Sequence, residues 1–331
     1  MHIRFLVPGN VRHGSGGNKY NAKLAEHLTA LGATVETLTV DGDWPVGSPA
    51  DRQRLAQALD GGTTVIADGL VASGAPEEIA AAVQAGTKVW IISHMALADH
   101  QDLEARALAS ATAVICPSAH SAAELKAKHG SLTIHVARPG VDRAQIAEGS
   151  VPPHILAVAA LLPNKNQTLL LEALSLVRDL PWSAALIGTM DADPAYAGEV
   201  RAAVERHGLQ NRISVTGELT GGALEEQWHK ANLSVLISTS EAYGLVVGES
   251  LAHAVPVIVR QGTGAVEALG ESGPGAVWDP AEALAEVIRS WLTDAALQKR
   301  WRSNALQARE HLPGWETTAV IVLKAMTGLP G

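Results

Sequence analysis

The sequence predicts an α/β protein of two Rossmann-like domains, each built on a parallel β-sheet. Three observations carry that expectation. Short, continuous apolar runs alternate with longer amphipathic stretches. The alternation stops at a segment rich in glycine, serine and proline, and then begins again. The length, 331 residues, is about twice that of a typical domain.

In the first half the apolar runs cover residues 3–7, 64–67, 89–92, 113–115 and 133–136. Hydrophobicity that is continuous rather than alternating suits strands buried on both faces of a parallel sheet. Residues 18–31 read as an amphipathic helix between strands, which implies right-handed βαβ units. The break falls at 146–153, Ile-Ala-Glu-Gly-Ser-Val-Pro-Pro, and reads as an interdomain linker. Runs then resume at 155–158, 184–187, 213–215, 233–237 and 256–259, with a helix over 166–180. The expected domains are 1–147, 148–312 and a C-terminal helix, 313–331, packed back on the first domain. From about residue 282 the chain reads as helical, with Trp291, Trp301 and Trp315 near helical spacing as packing anchors. Pro313-Gly314 breaks that helix, and residues 315–329 read as one more.

Composition narrows the partners. The chain is 47% hydrophobic, enough for sizeable cores, and its formal charge of −9 repels phosphodiester backbones, so no nucleic-acid partner is expected. No apolar stretch reaches the roughly 18 residues of a transmembrane helix. The apolar start, residues 3–7, is short for a signal peptide and soon meets Pro8-Gly9-Asn10; the expectation is a cytoplasmic protein without a transmembrane segment. The single cysteine, Cys116, excludes an intramolecular disulfide and, after an apolar run, reads as a buried strand residue.

In open parallel sheets, ligands gather at the carboxyl ends of the strands, and the unusual residues of this chain fall there. The first run leads into a loop ending Gly14-Ser15-Gly16-Gly17. It does not make the dinucleotide fingerprint, because Lys19 stands where a third glycine belongs and the loop is too long for a tight turn. A glycine pair at a helix entrance still lets backbone N–H groups approach an anion. His94 follows the run 89–92. After 233–237 comes Glu241-Ala242-Tyr243-Gly244-Leu245-Val246-Val247-Gly248-Glu249. Here Gly244 permits an unusual turn, and the N–H groups of Leu245 and Val246 at a helix start present positive potential to a diphosphate. Glu241 and Glu249 can each accept hydrogen bonds from vicinal hydroxyls. Asp191-Ala192-Asp193 has the form of a metal-binding pair, but with Pro194 after it a solvated turn is expected.

The segment from Ser240 through Glu249 to Pro256-Val257-Ile258 resembles the signature of retaining GT-B glycosyltransferases, family GT4 in particular. Other blocks agree in order: Gly16-Gly17, His94, Cys116-Pro117-Ser118, Arg138-Pro139-Gly140, Pro163-Asn164-Lys165-Asn166 and Val215-Thr216-Gly217-Glu218-Leu219. The resemblance covers nearly the whole chain. It implies two parallel sheets facing an interdomain cleft, and transfer of a sugar from a nucleotide-sugar donor, UDP- or GDP-linked, to a small-molecule, glycan or lipid-linked acceptor. No metal and no further cofactor is implied. Lys165 would hold the donor diphosphate, Glu249 the nucleotide ribose and Glu241 the sugar hydroxyls. Tyr243, Gly244, Leu245 and Val246 would meet the phosphates. His94 would lie over the donor sugar, Gly16 and Gly17 near the phosphates and acceptor, and Gly217-Glu218 near the nucleobase.

Two positions depart from the family pattern. Ala160 stands where an arginine paired with the lysine is common, which removes one phosphate-neutralising charge; Arg12 and Arg260 are candidates to replace it. Ala242 stands where glycine is usual. The missing arginine keeps open a non-catalytic nucleotide-binding relative. A nucleotide-sugar epimerase and an NAD(P)-dependent oxidoreductase on a similar frame are further alternatives.

Overall fold

The computed structural model describes residues 1–11, 13–61, 64–97, 99–270, 276–277 and 280–328. Arg12, one of the two candidate replacements for the missing arginine, and Leu329 at the end of the expected last helix lie outside the described residues. The chain forms two compact units, Met1–Gly140 with Pro313–Gly331, and Val141–Leu312.

The first unit runs β1 (His2–Pro8), α1 (Gly16–Ala30), β2 (Thr34–Val40), α2 (Pro49–Leu59), β3 (Thr64–Asp68), α3 (Gly69–Ala72), α4 (Pro76–Gln84), β4 (Lys88–Ile92), α5 (Gln101–Ser110), β5 (Ala113–Cys116), α6 (Ala119–His129) and β6 (Ile134–Val136). Its strands form one parallel sheet in the order β2-β1-β3-β4-β5-β6. Leu6, Val65, Ala67, Val89, Ile91 and Val114 form part of a core with Leu55, Leu59 and Ile79 of the covering helices. Cys116 ends β5, and burial pushes its thiol up to about 12.

The second unit runs β7 (His154–Val158), a 3-10 turn (Pro163–Lys165), α7 (Gln167–Ser175), β8 (Ser183–Ile187), α8 (Pro194–Arg206), β9 (Ile213–Gly217), α9 (Gly221–Lys230), β10 (Ala231–Leu236), α10 (Leu245–Ala252), β11 (Val257–Arg260), α11 (Ala265–Leu269), β12 (Ala276–Val277), α12 (Ala281–Thr293) and α13 (Ala295–Glu310). Its parallel sheet has the order β12-β11-β10-β7-β8-β9. The architecture is therefore the α/β pair of parallel sheets that the apolar runs predict. In both sheets the chain winds outward in one direction, then returns to the first strand and winds the other way. The reversal lies between β1 and β3 in the first unit and between β7 and β10 in the second. That is where a doubly wound sheet opens a crevice at its carboxyl edge.

Two strands carry no apolar run in the sequence. β2 and β12 are edge strands; β2 reads Thr-Val-Glu-Thr-Leu-Thr-Val and is exposed along most of its length, so nothing requires it to be continuously apolar. The helical stretch beyond 282 is interrupted at Asp294, whose carboxylate accepts from the N–H groups of Ala296 and Leu297 and caps α13. Trp291, Trp301 and Trp315 are buried.

The division between the units falls at Gly140/Val141 rather than after residue 147. The segment 144–154 is bound into the second unit. Arg309 holds the carbonyls of Ala144 and Ala252 at 2.8 and 2.7 Å, and Arg302 those of Ala147 and Ala254. Asn232 Oδ1 accepts from the N–H groups of Ser150 and His154, both at 2.9 Å. The Gly/Ser/Pro stretch is thus a fixed strand entrance, not a free linker. The last helix, α14 (Trp315–Thr327), belongs to the first unit. There Trp315 meets the ring of Tyr20 edge-on, with centroids 5.7 Å apart, and Thr318 Oγ1 donates to the carbonyl of Arg138 at 2.7 Å. Among the described residues no helix is long and apolar enough to cross a membrane.

Two glycines of the second unit give opposite expectations for the same substitution. A Cβ at Gly188, after β8, would stand 1.9 Å from the carbonyl oxygen of Ala159, while one at Gly198, exposed in α8, would meet nothing within 4 Å. Gly188→Ala is expected to destabilise by about 1–3 kcal/mol. Gly198→Ala is expected to stabilise by about 0.5–1 kcal/mol. Denaturant melts of the two variants check both signs.

Candidate functional site

The second unit brings the predicted donor residues to its strand reversal. Lys165 ends the 3-10 turn that follows β7, and Glu241 lies in the loop that follows β10. Their side chains meet, Lys165 Nζ to Glu241 Oε2 at 2.8 Å, and both are mostly shielded from solvent. Backbone contacts fix that encounter. The N–H of Thr239 donates to the carbonyl of Asn164 at 2.7 Å, and the N–H of Gly264 to the carbonyl of Glu241 at 2.7 Å. Gly264 allows this approach because a Cβ there would lie 1.9 Å from the carbonyl oxygen of Ala242.

Tyr243, Gly244, Leu245 and Val246 form the entrance to α10. Gly244 is its N-cap with φ +83°, a left-handed conformation that favours glycine, and no side chain caps the helix start. The positive end of the helix is therefore presented by backbone alone, beside the Lys165–Glu241 pair. Glu249 lies one turn into α10. Ala242 has no positive φ, so its methyl group fits where a glycine was expected. Ala160 adds no charge; its carbonyl accepts from Gln167 Nε2 at 2.9 Å. Arg260 ends β11, the strand beside β10, at the same edge of the sheet. Gly217 ends the edge strand β9 with φ +78°, and exposed Glu218 follows it. β8 separates these two from β7. Asp193 caps α8, accepting from the N–H of Tyr196 at 2.9 Å, so this aspartate has a structural partner.

His253, which no motif marks, follows Glu249 by four residues. Its Nδ1 donates to the carbonyl of Glu249 at 2.8 Å, its Nε2 lies 3.1 Å from Glu225 Oε2, and its ring stacks on Trp228 at 5.0 Å. It anchors the end of the helix that carries Glu249.

In the first unit Gly16 and Gly17 open α1, whose N-cap is Ser15, and His94 follows β4. A Cβ at Gly17 would stand 3.0 Å from His94 Cδ2, so the glycine makes room for the imidazole. Tyr20 lies edge-on to the same ring, centroids 5.3 Å apart; burial pushes its phenol up, and its hydroxyl donates to the carbonyl of Ala137 at 2.8 Å. Two residues absent from the sequence reading complete the group. Asn21 and Asp68 are 3% and 4% exposed. Asn21 Nδ2 donates to Asp68 Oδ2 at 2.6 Å, and His94 Nε2 lies 2.9 Å from Asn21 Oδ1 and 3.3 Å from Asp68 Oδ2. Burial works to raise the pKa of Asp68, but a hydrogen bond from His94, the charge that His94 can carry, and hydrogen bonds from Asn21 and the Leu70 N–H outweigh it and hold the carboxyl below its ordinary range. The available signals were an acid closing a wholly apolar strand and an amide on the apolar face of a helix.

The shift of Asp68 has a defined sign. A folded-state pKa below the unfolded value near 3.8 stabilises the fold fully above that value, and the contribution is lost as pH falls through the lower folded value. Acid unfolding curves are expected to lose that part of their slope in Asp68→Asn. Equal slopes in the two proteins count against the assignment.

Comparison with known proteins agrees with this geometry. Residues 141–308, about half the chain, match the family described as glycosyl transferases group 1. A D-inositol 3-phosphate glycosyltransferase from Arthrobacter sp. (strain FB24) is 25% identical over 246 residues, which cover 68% of this chain and 58% of that protein. Among solved structures, sucrose-phosphate synthase from Thermosynechococcus elongatus superposes with a TM-score of 0.83 at 19% identity, over 99% of both chains. Alr3699/HepE of Anabaena, solved in complex with UDP and glucose, gives 0.82 at 19% identity, over 99% of this chain and 100% of that one. The fold is GT-B, and the chain belongs to the glycosyl transferases group 1 family.

Proposed function

We propose that this protein transfers a sugar, with retention and without a metal ion, from a nucleoside-diphosphate sugar to a hydroxyl acceptor, as GT4 enzymes do. The observation that carries the reading is the meeting of Lys165 and Glu241 beside the uncapped start of α10. A cation and a helix N-terminus suit a diphosphate, and a carboxylate next to them suits the hydroxyls of the attached sugar. The complex of the Anabaena protein with UDP and glucose supports a UDP-linked donor.

In this reading the bond between the anomeric carbon and the β-phosphate oxygen breaks, and its electron pair stays on that oxygen. Lys165 and the N–H groups of Leu245 and Val246 stabilise the growing charge as preorganised groups. The acceptor oxygen forms the new bond on the same face, and its proton passes to the departing phosphate. Glu241 orients the sugar, Glu249 holds the ribose, Gly217-Glu218 border the base, and Arg260 supplies the charge that Ala160 lacks. Gly16, Gly17 and His94 serve the sugar and acceptor. The cytoplasm, where nucleotide sugars are made, is the proposed location.

Ala160 gives a second reading some support, a relative that binds nucleotide without turnover. Thermal melts with UDP, GDP, ADP, CDP, dTDP and NAD separate the possibilities. One nucleoside diphosphate at 100 times its dissociation constant is expected to stabilise the protein by about 2.7 kcal/mol. A response to NAD alone, or to none of them, overturns the donor site. With the matching nucleotide sugar, Lys165→Ala is expected to lower turnover by about 10²–10³-fold; turnover near that of the natural protein removes Lys165 from the phosphate.

A further inference from the structure

The proposed reaction gives Asn21 and Asp68 no task, yet both are almost wholly buried against His94. Their hydrogen bonds settle which nitrogen of the imidazole is engaged by the protein. Asp68 Oδ1 accepts from the N–H of Leu70 at 2.8 Å, which fixes the carboxylate at the start of α3. Its Oδ2 receives Asn21 Nδ2 at 2.6 Å, and a carboxylate only accepts, so the amide can have just one orientation. Asn21 Oδ1 therefore points at His94 Nε2, 2.9 Å away, with Asp68 Oδ2 at 3.3 Å from the same nitrogen. Both oxygens are acceptors, so the proton belongs on Nε2. The ring cannot turn over freely, because Tyr20 stands edge-on to it and Gly17 leaves no more than the space it fills.

We infer that Asn21 and Asp68 are positioning residues that lock His94 in its Nε2–H tautomer and leave the Nδ1 lone pair as the atom offered to a ligand. Among the described residues Nδ1 has no hydrogen-bond partner. In its neutral form an imidazole held in this way accepts and does not donate at its open nitrogen. It selects a hydroxyl or an N–H group and gives nothing to a phosphate oxygen. Combined with the proposed transfer, on which this last step rests, the open nitrogen of His94 meets a sugar hydroxyl.

The test is the nitrogen spectrum of the imidazole in the whole protein, read by long-range ¹H–¹⁵N correlation and assigned by the signal that His94→Gln removes. The expected result is a pyrrole-type Nε2 and a pyridine-type Nδ1. A dominant Nδ1–H form, or two nitrogens averaged to similar shifts, overturns the inference. In Asp68→Asn an Nδ1–H population is expected to appear, because two amides can donate to the ring as readily as accept from it. A folded Asp68→Asn with an unchanged tautomer removes the role given to Asp68. Should that variant not fold, Asn21→Ser is read in the same way. With the nucleotide sugar selected by the melts, turnover in the folded variant is expected to fall about tenfold to hundredfold, while stabilisation by its nucleoside diphosphate persists. Loss of nucleotide stabilisation in the natural protein speaks against the proposed function and leaves the tautomer reading as it stands.

Discussion

Each parallel sheet of this protein is wound from a central strand, outward one way and then the other, and the Lys165–Glu241 and Asn21–Asp68 encounters depend on that reversal. Parallel strands all end on the same edge, so their following loops gather there. At the reversal two neighbouring loops depart in opposite directions and leave a gap between them. In the second unit the gap lies between β7 and β10, and it receives Lys165 from one side and Glu241 from the other. In the first unit β1 and β3 bound the gap; the loop after β1 leads to Gly17, and Asp68 ends β3. The same topological device thus places a cation beside an acid in one unit and an amide beside an acid in the other.

What the topology places roughly, backbone contacts place closely. The loop bearing Glu241 is held by carbonyl and N–H groups of Asn164, Thr239 and Gly264, none of which needs a charged side chain. That leaves Lys165 and Glu241 to each other. Their ion pair is modest in worth at partial exposure, which suits groups that must exchange one partner for another. The first unit is built the opposite way. Asp68 and Asn21 are almost wholly buried, and they bond to each other, to the N–H of Leu70 and to His94. Burial turns the cluster into a rigid mount.

Much of this was legible in the sequence, and the misses have physical reasons. Buried central strands must be apolar throughout, so residues 64–67, 89–92 and 184–187 announce themselves. β2, an edge strand wetted along one side, has no such obligation and was passed over. Asp294 broke a helix by capping the next one, a local choice that Trp spacing does not reveal. The stretch at 146–153 has the composition of a linker but is pinned by Asn232 and Arg302, residues far along the chain. Lys165, Glu241 and Gly244 were found because their type is unusual at a strand end. Asn21 and Asp68 escaped because a polar residue facing a core is visible only once its partner is known, and here the partners lie 47 and 73 positions away from Asn21.

The return of α14 to the first unit has a bearing on how the molecule is assembled. The second unit is one unbroken stretch of chain inserted into the first, whose own closing helix comes only after Leu312. During synthesis the ribosome therefore delivers every strand and helix of the inserted unit before it delivers the helix that covers Tyr20 and the carbonyl of Arg138. The usual order, in which the first domain is complete before the second begins, does not apply. The first unit waits with an uncovered face until α14 is made, and the inserted unit is free to finish before it.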